Sequence, residues 1–243
     1  MAANFRHTVI LLILTILLAL QAQDSFNTSN QNPFLPYILP ITIITAGCAI
    51  SGSGFEKDLQ ADIRQAAGED FSLKADDYIV HVPMAEIYIF DLMGIKAENR
   101  FYERSKNVFL ANLSSQIIVQ ILKYTTDKLR PDGDDRESFP SNHTNIAFTN
   151  ASILFHEYKN SNSFIAYSGF AFATATGALR ILNNKHWTGD VLAGAGIGML
   201  CADLVYRFEP FKRSGNTDLN DKLIGIIPDF DVGTYGIKIT AVF

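Results

Sequence analysis

The chain has 243 residues, 48% apolar and 19% charged, which is enough for one large domain with a real core and far from the composition of a disordered chain. Its formal charge of −5 offers no electrostatic footprint for a nucleic-acid backbone, so nucleic-acid binding is disfavoured. Two cysteines, Cys48 and Cys201, can build neither a zinc site nor a disulfide framework; their apolar contexts favour two buried thiols over a single bridge.

Arg6 and His7 precede a nearly unbroken apolar run, Val9 to Leu20, and Leu20-Gln21-Ala22 then leads into polar chain. A basic start, a short apolar middle and a small residue before polar chain predict a secretory signal peptide over residues 1–22. The run is short for a membrane span, and an uncleaved anchor is the alternative. Residues 23–33 read as a polar linker, and residues 34–210 as the helical domain. Phe34–Ile50 is the most apolar segment; Pro36 and Pro40 place its helix after Pro40. Ser51-Gly52-Ser53-Gly54 breaks it, and Phe55–Ala67 then predicts a short surface helix. Asp76–Met93 predicts a helix with Asp76 as N-cap and Gly94 closing it, kinked at Pro83 or starting later. Glu98–Tyr124 follows, then a Pro/Gly/Asp loop from Pro131 to Pro140. Thr144–Tyr158, Phe164–Ile181 and Gly189–Phe208 complete the helices. In the last, Gly194, Gly196 and Gly198 allow close approach of a neighbour. Beyond Pro210 the texture turns to β. Residues 211–243 predict a polar loop and a small hairpin joined at Pro228–Gly233. The fold expected is mainly α, an up-and-down bundle of about six helices with a small C-terminal β hairpin.

The mean hydropathy of +0.11 comes almost wholly from residues 1–22, and the remainder averages slightly below zero. Several long segments lack charges but carry polar groups such as Asn112, Ser114, Ser115 and Gln116. The expectation is therefore an exported body in the periplasm or cell envelope, in contact with the membrane. Integral embedding is the alternative.

Chemistry-bearing residues collect at helix ends. Lys123 closes the third long helix, and Arg130 lies seven residues on. Ser141, Asn142 and His143 open the next helix, Arg180 closes the fifth, and His186 and Asp190 stand at the start of the sixth. In an up-and-down bundle the end of one helix and the start of the next share a rim, so all these residues converge. Three cations, a serine and helix-start amides make a pocket for a tetrahedral anion. A histidine held by a carboxylate can act as nucleophile or base, and a second histidine as general acid. His81 and His156 lack partners at informative spacing and read as structural. The acidic run Asp132–Asp135 lacks calcium-loop spacing and reads as a solvated turn.

The array Lys123-x6-Arg130-Pro131, Pro140-Ser141-Asn142-His143, Arg180-x5-His186-x3-Asp190 resembles the type-2 phosphatidic acid phosphatase and vanadium haloperoxidase superfamily, which includes bacterial acid phosphatases and membrane lipid phosphatases. The resemblance implies that His186 attacks phosphorus to form a phosphohistidine, that Asp190 orients it, and that His143 protonates the leaving group. Lys123, Arg130 and Arg180 would hold the phosphate oxygens, with Ser141 and Asn142 assisting. No metal or other cofactor is implied for the phosphatase branch. Two positions depart from the family pattern: Asn142 stands where glycine is usual, and Leu179 where serine precedes the arginine. The function expected is hydrolysis of a phosphomonoester or diphosphate, with a phosphorylated lipid favoured over a small soluble phosphoester. A vanadate-dependent haloperoxidase and a non-catalytic binder of phosphate or lipid headgroups are the alternatives. The sequence leaves the oligomeric state open.

Overall fold

A computed structural model describes residues 35–208, 224–231 and 234–241. The expected signal peptide, the linker over 23–33 and the polar loop over 212–222 lie outside the described residues. The chain forms two units, Met1–Glu209 and Pro210–Phe243. The first is mainly helical, with eight helices among its described residues rather than about six: α1 (Leu35–Ile50), α2 (Gly54–Ala67), α3 (Asp76–Ile79), α4 (Val82–Leu92), α5 (Phe101–Thr126), α6 (Asn142–Tyr158), α7 (Ser163–Leu182) and α8 (Thr188–Phe208). In the second unit the backbones of Ile224–Asp231 and Thr234–Ala241 are extended.

Four local expectations are corrected. α1 begins at Leu35 and runs through Pro40, although proline removes a hydrogen bond from a helix interior. Close packing holds it there, because a Cβ on Gly196 of α8 would sit 2.7 Å from the Pro40 carbonyl oxygen. The single helix expected over Asp76–Met93 is two, α3 and α4, with Pro83 in the first turn of α4, where its missing N–H costs nothing. Asp76 is not an N-cap; its carboxylate is spent on Arg180. Both cysteines are free thiols, yet only Cys201 is buried, and Cys48 is exposed on α1.

α6 and α8 form the centre. α6 buries nearly all of its side chains between α5, α7 and α8. α8 packs against α6 through glycines: a Cβ on Gly194 would meet the Ser141 carbonyl oxygen at 2.5 Å, and one on Gly198 would meet the Asn145 carbonyl oxygen at 2.6 Å. The contact is backbone against backbone, which fixes the start of α6 beside the start of α8. α5 is turned inside out relative to a helix of a water-soluble protein. Its inner face carries Arg104, Asn107, Ser115 and Lys123 among small apolar residues, while Phe109, Leu113, Ile117, Ile121 and Tyr124 form an exposed apolar stripe. Two of the polar groups read from the sequence as unfavourable to a span, Asn112 and Ser115, are paired inside. Asn112 exchanges hydrogen bonds with Asn150 of α6 (3.0 and 3.2 Å), and Ser115 accepts one from Asn145 (3.1 Å). α7 and α8 are long and apolar enough to cross a membrane, and the pair Pro36–Ile50 and Gly54–Ala67, bent by 91°, would make a third span.

The glycine contact makes a stability prediction. Gly198→Ala forces the α6 and α8 backbones apart and lowers stability by about 1–3 kcal/mol, outweighing the gain in helix propensity of about 1 kcal/mol. Gly54→Ala, with no atom within 4 Å of the new methyl group, is neutral or mildly stabilising. Thermal denaturation of the two purified variants reads the difference; equal melting temperatures would contradict the packing.

Candidate active site

The last turn of α5 turns Lys123 inward, where its ammonium donates to the Glu137 carbonyl. The loop after α5 folds back on itself. The Arg130 amide donates to the Asp135 carbonyl, the Ser138 amide to the Lys128 carbonyl, and the Ser141 amide to the Asp190 carbonyl at the start of α8. Arg130 spends only its Nε on Asp135 (2.7 Å). Arg180, in the last turn of α7, donates through one terminal nitrogen to Asp76 (2.8 Å). Its Nε is buried without an acceptor among the described residues. A buried guanidinium N–H left unsatisfied costs free energy, and an anion seated there would recover it.

α6 begins at Asn142 without a side-chain cap. The hydroxyl of its N-cap residue, Ser141, is engaged with Thr144 Oγ1 (2.9 Å) instead. The first amides of the helix therefore remain open donors, and a helix start of this kind favours an anion. The Asn142 side-chain oxygen is buried there and also lacks a partner. Leu179, half-buried on α7, adds no hydroxyl to this set.

His186 is fully enclosed. Its Nδ1 lies 2.8 Å from the Ser138 carbonyl oxygen, which can only accept, so Nδ1 carries the proton and Nε2 carries the lone pair. Burial lowers its pKa from 6.5 to about 4, against the opposing pull of Asp190 and with further depression from Arg180 and Arg130. A neutral, correctly protonated imidazole facing cations is a nucleophile ready for an electron-poor centre. Asp190 is placed differently from the expectation that it would hold the imidazole directly. Its nearer oxygen is 3.7 Å from Nδ1. It reaches the ring through Ser138, whose hydroxyl donates to Oδ2 while the Ser138 carbonyl takes the imidazole proton.

His143, in the first turn of α6, lies 3.3 Å from a carboxylate oxygen of Asp77. Its pKa is lowered, first by burial and then by Arg180, with Asp76 and Asp77 resisting. The His186 amide donates to the Arg180 carbonyl (3.2 Å) and the Ser141 amide to the Asp190 carbonyl (3.0 Å), while Arg180 and His143 pair with the adjacent Asp76 and Asp77.

Residues 105–214 match the family model described as the PAP2 superfamily. A lipid A 1-phosphatase of Porphyromonas gingivalis is 40% identical over 165 residues, 67% of this chain; the chain spans 37% of the length of that relative. Among solved structures, the transmembrane PAP2-type phosphatidylglycerolphosphate phosphatase of Bacillus subtilis covers 75% of this chain and 100% of its own at 20% identity, with a TM-score of 0.53. Aquifex aeolicus LpxE covers 60% of this chain and 93% of its own at 24% identity, with a TM-score of 0.44. The first of these structures supports the fold.

The PAP2 motifs account for the rim but not for what surrounds it. Lys128, Ser138, Asp76, Asp77 and Glu56 were not singled out as site residues from the sequence, and three of them precede the matched segment. Their only signal is charge or hydroxyl in loops or short helices, and their partners are distant in sequence. The acidic loop is an exposed turn whose carboxylates also pair with cations near the site. Asp135 grips Arg130, and Asp132 pairs with Lys185 at 2.8 Å, just before His186. Trp187 lies beside Lys128 and donates its indole N–H to the Leu129 carbonyl (2.8 Å). Of the remaining histidines, His156 bonds Asp203 (2.8 Å) and stacks on Tyr206.

Since Asp77 raises the His143 pKa, Asp77→Asn lowers the His143 titration midpoint further and leaves that of His186 in place. Imidazole C–H resonances followed against pH measure both; an unmoved His143 midpoint would contradict the assigned contact.

Proposed function

We propose that this chain is a PAP2-type phosphoester hydrolase that removes a phosphate group from a lipid, working from a membrane-embedded helical body. The observation that carries the reading is the bare Nε2 of His186, its proton held on Nδ1 by Ser138, among Arg130, Arg180 and the open start of α6. The named activity of the Porphyromonas gingivalis relative supports a lipid A phosphate as the first substrate to try.

The chemistry proceeds in two displacements. Phosphate oxygens settle against Lys123, Arg130 and Arg180, with Ser141 and the amides near Asn142 completing the cradle. The Nε2 lone pair attacks phosphorus, the P–N bond forms as the P–O ester bond breaks, and protonated His143 gives its proton to the leaving oxygen. The ring that forms is cationic, and Asp190, acting through Ser138, stabilises it. His143, now neutral, takes a proton from water, whose oxygen attacks phosphorus. The P–N bond breaks, and inorganic phosphate leaves.

Membrane embedding accounts for the apolar stripe on α5 and for α7 and α8, with polar side chains paired inward. It replaces the surface-contact reading drawn from mean hydropathy. Residues 1–22 remain the proposed export signal, which would set the rim toward the cell envelope. We also propose that the C-terminal segment is a small β hairpin that takes no part in the chemistry.

The test is phosphate release from short-chain phosphatidate, isoprenyl diphosphate and lipid A in detergent micelles. Wild type releases phosphate, orthovanadate inhibits it without halide oxidation, and His186→Ala loses at least about 10³-fold in kcat. The pH profile of kcat/KM is bell-shaped. Its acid limb lies near 4, where His186 gains its proton, and its alkaline limb lies below 6.5, where His143 loses its proton. Halide oxidation would favour the haloperoxidase, and phosphate binding without release the non-catalytic binder.

A further inference from the structure

Asp190 is held by a second set of charges that the reaction itself does not use. Lys128, on the loop after α5, donates to three acceptors: Asp190 Oδ1 (2.8 Å), Glu56 Oε2 (2.9 Å) and Ser51 Oγ (2.8 Å). An ammonium has three N–H groups, so none remains for a substrate. The rings of Phe139 and Trp187 flank the same ammonium at 5.8 and 5.7 Å from their centroids.

Glu56 of α2 is 1% exposed and equally saturated. Oε1 accepts the amide of Gly189 at the start of α8 (2.9 Å), and Oε2 accepts the amide of Gly52 (2.7 Å) as well as Lys128. Gly189 lies too close for any other residue, since a Cβ there would stand 2.6 Å from Glu56 Oε1. Glu56 therefore ties the α1–α2 corner to the backbone beside Asp190, and Lys128 ties that corner to the Asp190 side chain.

We propose that Lys128 and Glu56 are positioning residues for the Asp190–Ser138–His186 relay, so that the α1–α2 corner, outside the PAP2-matched segment, sets the geometry of the attacking imidazole. The inference deepens the phosphatase reading and rests on His186 being the nucleophile. Two carboxylates share one ammonium in this buried cluster. Removing Lys128 leaves Asp190 and Glu56 facing each other unneutralised, which displaces the Asp190 carboxylate. It also removes a cation from the neighbourhood of His186, which then gains a proton more readily. The other charged groups bearing on His186 or Asp190 are Arg130 and Lys123 from the α5 end and the loop after it, and Arg180 from α7. Those bearing on His143 are Arg180, Asp76 and Asp77.

The experiment compares kcat, KM and pH profiles of full-length wild type, Lys128→Met, Lys128→Arg, the double variant Glu56→Gln/Lys128→Met and His186→Ala, on short-chain phosphatidate in detergent micelles. Lys128→Met loses about 10–100-fold in kcat with KM within about twofold, in line with a small misplacement of a reacting group. Its acid limb moves upward from about 4 while the alkaline limb, set by His143, stays. Lys128→Arg keeps the acid limb, because the charge remains. The double variant is more active than Lys128→Met, because the orphaned carboxylate is gone, and it is the variant read if Lys128→Met does not fold. A Lys128→Met profile with wild-type kcat and acid limb overturns the inference. So does a KM rise of tenfold or more with kcat unchanged, which would make Lys128 a phosphate ligand, and so does a double variant no better than the single. If His186→Ala is inactive, any of these results falls on the inference alone. If His186→Ala hydrolyses like wild type, the nucleophile assignment falls first and the inference with it.

Discussion

The hydrogen bond from His186 Nδ1 to the Ser138 carbonyl is the constraint on which the site depends. A carbonyl cannot donate, so this one contact fixes the tautomer, aims Nε2 away from Ser138 and binds the loop after α5 to the turn before α8. The loop can reach that position because its Ser141 amide is anchored on the Asp190 carbonyl and because α8 offers Gly194 where Ser141 passes. The placement of the His186 ring therefore rests on backbone contacts as much as on the charged side chains that surround it. The carboxylate acts at one remove, through a serine that serves both neighbours.

The helical body solves two solvation problems at once. Its interior carries hydrogen-bonded polar pairs, Asn112 with Asn150 and Ser115 with Asn145, and its outer face along α5 is apolar. In water that arrangement would leave a long apolar stripe exposed; in lipid the stripe would face hydrocarbon while the paired polar groups stay inside. The cations and imidazoles gather at the helix ends, where a phosphate headgroup and the chain that carries it separate most easily.

Much of the site was legible in the sequence because its parts stand at helix ends with motif spacing. Lys123, Arg130, His143, Arg180, His186 and Asp190 could be named, and helix order led to the expectation that they share one rim. The supporting residues were not legible. Glu56 meets Gly189 across 133 residues and Lys128 across 72, and no local pattern marks a glutamate that will be buried. The apolar stripe on α5 was hidden because mean hydropathy counts residues without direction. Asn112 and Ser115 lower the average of a helix whose outward face carries Phe109, Leu113, Ile117 and Ile121. The Asp76–Met93 stretch was read as one helix because its period continues across Val80 and His81, whereas Asp76 is drawn off to Arg180 and Pro83 starts a new helix.

The central claim is that phosphorus becomes bonded to His186, and a rapid-quench experiment tests it most directly. Full-length protein mixed with a phosphate-labelled lipid substrate and quenched in alkali within the first turnover should carry label on the peptide that contains His186, stable in base and lost in acid. The absence of protein-bound label during active turnover, or its recovery on another residue, would contradict the account.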